Sequence, residues 1–147
     1  MKKIALLSSL FVSMSSIAYT PKLLLIDHSS GFDQYLDEKS IQKIDKTLMR
    51  VMIYDKYNYK ATDEYITNFQ SAIHVYIVDC PYKAISRGYG TYYSGRTSNS
   101  EILGVYNNIK GMTGDGDSFY FYDDLEFKSI KNSVAYQKIY RRLCIAK

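Results

Sequence analysis

The sequence predicts an α+β fold in which a single antiparallel β-sheet carries a C-terminal α-helix on one face. Short β-favouring runs separated by turn residues are typical of an antiparallel sheet. Sixteen tyrosines and no tryptophan occur among the 147 residues, and tyrosine favours strands and half-buried surfaces. One apolar stripe at helical spacing lies near the C-terminus. The length suits a single domain.

Composition limits the classes of function. With 46% hydrophobic and 23% charged residues, the chain can bury a packed core. The formal net charge of +4 is too small to require a nucleic-acid partner. Two His and two Cys cannot build a zinc ribbon or a multi-site metalloenzyme. We therefore expect no metal, no cofactor and no nucleic acid.

Residues 1–18 have the pattern of a cleaved signal peptide. Lys2 and Lys3 precede a short apolar run, and Ser16 and Ala18 place small residues at positions −3 and −1 of a cleavage site. The run is shorter than the ~20 residues that cross a bilayer. A buried N-terminal helix is the alternative, although nothing caps it. We expect an exported mature domain of residues 19–147, without a lipidation cysteine near the cleavage point.

The first half of the mature domain predicts three strands. Residues 22–28 form an apolar run that ends at a Ser-Ser-Gly turn, and residues 32–37 form the second strand. A helical turn or connecting loop follows at residues 38–44. Residues 47–57 form a long strand whose more apolar face includes Val51 and Ile53. We expect residues 58–69 to be a loop.

The second half predicts further strands and then the helix. Strands are expected over residues 71–79, which end before Pro81, and over residues 82–93, which Gly88 and Gly90 allow to bend. A short strand follows at 101–106. Residues 111–117 are expected to be a flexible loop, and 118–122 a last strand or an extended approach to the helix.

The C-terminal segment is predicted to be an amphipathic helix from Ser133 onward. Asn132 or Ser133 can cap its N-terminus. Two neighbouring rows of side chains make the apolar stripe. These rows are Ala135, Ile139 and Leu143, and Tyr136, Tyr140 and Cys144.

Two cysteines, Cys80 and Cys144, are an even number in a chain that we expect to be exported. An oxidising compartment favours one disulfide between them. Two free thiols are the alternative.

The order of these elements and several short motifs resemble the bacterial surface-adhesin protein E family. The resemblance spans about residues 32–144. Its most specific parts are the Asp-Cys and Leu-Cys pairs. The residues that carry it are Tyr35-Leu36-Asp37, Ser40-Ile41, Met52-Ile53-Tyr54, Ser71, Asp79-Cys80, Ser133 and Leu143-Cys144.

This resemblance implies a multi-stranded antiparallel sheet whose C-terminal helix is tied to it by the Cys80–Cys144 disulfide. It also implies a non-enzymatic outer-membrane adhesin that binds host matrix and plasma proteins and can dimerise. The missing lipidation cysteine departs from the characterised, lipid-anchored adhesin, so a periplasmic binding or inhibitory protein acting on a bacterial partner is the alternative function. Either location implies a Gram-negative cell.

The sequence offers only weak candidates for a catalytic or metal-binding site. His28 lies beside Asp27 and two serines, but adjacent residues do not by themselves form a Ser-His-Asp site. His74 lies close to Cys80, whose disulfide would remove the nucleophilic thiolate. Residues 115–126 hold an acidic cluster, which does not match the EF-hand calcium template. We therefore expect no catalytic residue and no metal ligand.

Two groups of residues are candidates for binding a protein partner. Tyr89, Tyr92 and Tyr93 lie near glycines, and exposed tyrosine is enriched at interfaces. Basic residues near the C-terminus can steer an acidic partner, although they also complement the helix dipole. The basic candidates are Lys138, Arg141 and Arg142.

Overall fold

A computed structural model describes residues 18–114, 117–121 and 125–146 of the chain. Residues 1–17 of the predicted signal peptide lie outside this part. The described residues form ten strands, one α-helix, two 3-10 turns and a π-helical turn. The strands are β1 Leu23–Ser29, β2 Phe32–Asp37, β3 Gln42–Lys43, β4 Leu48–Thr62, β5 Thr67–Asp79, β6 Ala84–Tyr93, β7 Ile102–Asn107, β8 Lys110–Gly114, β9 Asp117–Phe121 and β10 Lys128–Ser129. The helix α1 is Val134–Tyr140, the π-helical turn is Arg141–Ile145, and the 3-10 turns are Glu38–Ser40 and Ile130–Asn132.

Eight of these strands form one curled antiparallel sheet in the order β1-β2-β4-β5-β6. The short β3 pairs with β4 next to β2, and both β7 and β10 pair with β6 on the side away from β5. Strands β8 and β9 form a separate hairpin. Together with the single C-terminal helix, this confirms the predicted α+β class.

Strands β4 and β5 are longer than the sequence predicts, so the predicted loop over residues 58–69 is wrong. Strand β4 continues to Thr62 and β5 begins at Thr67. The turn between them is tight because the Asp63 carboxylate accepts the backbone N–H groups of Tyr65 and Ile66 at 2.9 and 3.2 Å. The predicted loop at residues 111–117 is also wrong in part, since β8 and β9 enter it from both sides.

Both faces of the sheet carry an apolar cluster. On the helix face, Val51 and Ile53 of β4 are fully buried, as the alternation predicts, and they belong to one apolar cluster with Ile139 and Leu143. On the opposite face, Val75 and Ile77 of β5 pack in a second cluster. Central strand β5 is therefore buried on both sides, which hides its alternation in the sequence.

Helix α1 begins where the sequence predicts. The Ser133 side chain caps it by accepting hydrogen bonds from the N–H groups of Ala135 and Tyr136. Ala135, Ile139 and Leu143 are buried against the sheet. A helix of seven residues is too short to be stable alone in water, so tertiary contacts must hold it.

A disulfide supplies one of those contacts. Cys80 follows β5 directly, and Cys144 lies in the π-helical turn after α1. They are bonded, with 5.6 Å between their Cα atoms. The predicted pairing of Cys80 with Cys144 is therefore confirmed, and no free cysteine is present in the described residues.

Candidate functional site

A row of buried polar side chains crosses the middle of the sheet. The Gln34 amide donates to Asp55 Oδ1 at 2.8 Å, and Asp55 Oδ2 lies 3.3 Å from His74 Nε2. The other ring nitrogen of His74 lies 2.9 Å from the Tyr106 hydroxyl. His74 is 1% exposed and Asp55 is 4% exposed. Since each of these buried polar groups has a hydrogen-bonding partner, the row is tolerated in the core.

A second polar cluster lies beside this row, since 5.5 Å separate the ring centroids of His74 and Tyr92. Arg87 on β6 donates from Nη1 to Asp63 Oδ2 and from Nε to the Tyr76 hydroxyl, both at 3.2 Å. The Tyr92 hydroxyl donates to the same Asp63 oxygen. Burial raises the pKa of Asp63, but the hydrogen bonds and the Arg87 charge outweigh it and hold the pKa below its ordinary value. Arg87 is thereby fixed in place.

Tyrosines surround these polar groups. Tyr65 stacks on Tyr106 with 4.2 Å between ring centroids. Burial is the largest cause that raises the pKa of Tyr57, Tyr76, Tyr92 and Tyr106 above the ordinary value of 10.0. These phenols therefore remain neutral at physiological pH and act as hydrogen-bonding groups.

One edge of β6 has a gap in its strand pairing, and a cleft opens at this gap. Strand β10 pairs with β6 at Ala84 and Ile85, and β7 pairs with it from Tyr89 onward. Residues 86–88 between them pair with neither strand. A cavity of about 510 Å³ lies at this gap, and a second of about 370 Å³ lies by the N-terminal end of α1. Both cavities are lined by the same three side chains: Arg87, Lys128 and Tyr136. We call the two cavities together the β6 cleft.

Asn108 holds one wall of the β6 cleft. Its N–H donates to the Gly88 carbonyl at 2.7 Å. Its side-chain amide donates to the Tyr65 hydroxyl at 2.8 Å and to the Arg87 carbonyl at 3.2 Å. These bonds replace part of the strand pairing that the gap lacks.

The three tyrosines of the predicted contact set differ in their exposure. Tyr92 is 1% exposed and Tyr93 is 9% exposed, so both side chains are buried. Little of either side chain is accessible to a partner, and their role in binding stays a prediction. Tyr89 is 36% exposed and pairs with Val75 on the face opposite the helix. The structure therefore does not bring Tyr89 together with the basic residues of the C-terminal segment.

Two of the three predicted basic residues make contacts within the chain. Lys138 Nζ donates to the Ile26 carbonyl of β1 at 2.6 Å. Arg142 binds the Glu38 carboxylate, which Lys22 also binds at 2.7 Å. Arg141 is exposed. Lys138 and Arg142 therefore help to attach the C-terminal segment to the edge of the sheet.

The weak catalytic and metal candidates do not assemble into a site. His28 is exposed and pairs with Asp33 at 2.6 Å. His74 belongs to the row of buried polar side chains described above. Among residues 18–114, 117–121 and 125–146, no group of three or more His, Cys, Asp and Glu residues is placed to hold a metal ion. Residues 115 and 122–124 of the acidic cluster lie outside the described residues.

Within the same described ranges, the helices are too short or too polar to cross a membrane.

Asp37, from the Tyr35-Leu36-Asp37 motif, stabilises the fold. This carboxylate is fully buried and accepts the backbone N–H groups of Lys22 and Lys39 at 2.8 and 3.1 Å. It also accepts the hydroxyl of Tyr19, and partial burial together with this bond raises the pKa of Tyr19 to about 12. Ser40 donates to the Asp37 carbonyl at 2.7 Å. Asp37 thus fixes the start of the sheet.

The structure is that of a small α+β protein whose C-terminal helix is tethered to a curled antiparallel sheet by a disulfide. The family model described as surface-adhesin protein E matches residues 23–144. The chain therefore belongs to the surface-adhesin protein E family, and this family is one of adhesin-like surface proteins. Comparisons with curated proteins and with solved structures give no match.

Proposed function

We propose that this chain is an exported, non-enzymatic adhesin that binds host extracellular-matrix or plasma proteins. The observation that carries the proposal is the family match over residues 23–144. The Cys80–Cys144 disulfide supports export, because such bonds persist in oxidising compartments. Removal of residues 1–18 as a signal peptide is part of the proposal.

The partner-binding surface in this proposal is a stripe formed by Tyr89 and Val105. Val105 on edge strand β7 is 73% exposed and pairs with Thr91, which lies two residues from Tyr89 on the same face of β6. Ile102 on the same edge strand is 59% exposed. Exposed apolar groups beside an open sheet edge are suited to protein contacts. Lys138, Arg141 and Arg142 lie on the other side of the sheet and would act through long-range steering.

Binding is tested with oxidised protein of residues 19–147 on surfaces coated with matrix extract or plasma proteins. Tyr89→Ser and Val105→Ser should each weaken saturable binding by about tenfold or more, the loss typical of a central interface residue. Tyr82→Ser is the matched control, because Tyr82 is 82% exposed and lies in the turn after β5. Equal binding by all three variants would rule out the stripe, and no binding by the parent protein would rule out the adhesin function.

The place of action needs a separate experiment. Protease added to intact cells should digest the protein if it is displayed at the surface. Protection until the outer membrane is opened would instead support a periplasmic binding or inhibitory protein with a bacterial partner.

A further inference from the structure

The β6 cleft has the size and construction of a small-ligand site. Its two cavities of about 510 and 370 Å³ fall within the range of roughly 300–1,000 Å³ that is typical of ligand pockets. The shared wall is fixed, because Arg87 is held by Asp63 and Tyr76. A site that is ordered before the ligand arrives loses less entropy on binding.

The walls combine aromatic rings with amide side chains. Tyr76 and Tyr136, whose ring centroids lie 6.1 Å apart, line the cavity by α1, and Tyr65 lines the cavity at the gap. Gln34 and Asn132 line the cavity by α1, while Asn107 and Asn108 line the cavity at the gap. An amide both donates and accepts hydrogen bonds, as a sugar hydroxyl does. Aromatic faces can cover the C–H face of a sugar ring, which is apolar.

The charges of the lining disfavour an anionic ligand. Among the described residues, the cavity walls carry four carboxylates, which exceed the two cations Arg87 and Lys128. Arg87 is already paired with a carboxylate. Like charges repel in a partly buried cleft, where screening is weaker than in bulk water. The four carboxylates are those of Asp27, Asp55, Glu64 and Glu126.

Donors nevertheless remain for a hydroxyl-rich ligand. Arg87 uses its Nε and Nη1 groups within the protein, and within the described chain its Nη2 group makes no hydrogen bond. Lys128 is exposed at the same wall. These N–H groups match the hydroxyl oxygens of an uncharged ligand.

We propose that the β6 cleft binds a neutral saccharide, with Tyr136 against the sugar ring and Arg87, Lys128 and Asn132 bonded to its hydroxyls. This site is separate from the stripe of Tyr89 and Val105. Saccharide binding can therefore succeed or fail independently of the proposed binding of a protein partner.

The test uses oxidised protein of residues 19–147 and three neutral probes: lactose, maltotriose and triacetylchitotriose. Backbone amide shifts in the NMR spectrum report which residues each probe perturbs. At least one probe should perturb the cleft residues with saturation. Heparin, a polyanion, is the opposing probe and should perturb them less.

Variants then assign the binding. Lys128→Ala and Asn132→Ala change exposed residues and should each weaken binding of the responding saccharide by about fivefold or more, equivalent to about 1 kcal/mol. Lys131→Ala is the matched control, because this exposed lysine lies between them in sequence and does not line the cleft. The proposal is overturned if no neutral probe perturbs the cleft, if heparin binds there more tightly, or if the two cleft variants behave like the control.

Discussion

Removing the disulfide should cost the protein much of its stability. Cys80 and Cys144 are separated by 64 residues, and closing a loop of this length stabilises a fold by about 4 kcal/mol when loop entropy alone is counted. Helix α1 depends strongly on this closure because it has only seven residues. The double variant Cys80→Ala/Cys144→Ala avoids placing a hydroxyl in the partly apolar surroundings of Cys144.

Thermal unfolding followed by circular dichroism measures this loss. A domain of this size loses roughly 4 °C in Tm for each kcal/mol, so the double variant should unfold roughly 15 °C below the oxidised parent. The parent protein treated with a reductant is the control and should show a similar loss. A Tm decrease of less than about 4 °C in both would refute the reasoning, because the apolar contacts of α1 would then be sufficient to hold it.

Three further predictions concern the sheet. Asp37→Ala should destabilise the protein by roughly 3 kcal/mol in urea unfolding, since it leaves three donors without their buried acceptor; a loss below about 1 kcal/mol would contradict this account. Asp63 has a lowered pKa in the folded protein. Its carboxylate therefore stabilises the fold at pH values above the ordinary pKa of 3.8. This contribution is lost as the pH falls through the lower pKa of the folded state. The Tm difference between the parent and Asp63→Asn should therefore be constant near neutral pH and shrink below about pH 4, and a difference that grows on acidification would be inconsistent with it. Gly90→Ala should destabilise by about 1–3 kcal/mol, because its Cβ would lie 2.7 Å from a ring carbon of Tyr106 and 2.8 Å from a backbone carbonyl; an unchanged denaturant midpoint would show that the ring moves aside at little cost.

Local signals made much of the fold predictable. The helix stripe with its Ser133 cap depends on residues a few positions apart, and both appear where the sequence places them. Strand β2 has the predicted bounds, Phe32–Asp37. The sequence does not predict the turn at residues 63–66, because polar residues continue β4 beyond Tyr57. They belong to the strand through the pairing of Ala61 with Phe69 and of Thr62 with Thr67.

The candidate site could not be predicted in the same way. The β6 cleft is built by side chains from several strands and from α1, and the sequence does not give their register. Asp55 did carry a signal, because the alternation of β4 places this carboxylate on the apolar face next to Ile53. A buried carboxylate needs partners, but that reasoning alone does not identify Gln34 and His74. The burial of Tyr92 likewise depends on which face of β6 meets the core.

The most direct test is mass spectrometry of peptides that protease releases from intact cells. If this chain is an exported adhesin with a disulfide-tethered helix, the released peptides should include a Cys80–Cys144 cross-linked pair and an N-terminus at Tyr19. Release of these peptides only after the outer membrane has been opened, or recovery of both cysteines as alkylated thiols without reductant, would contradict the account.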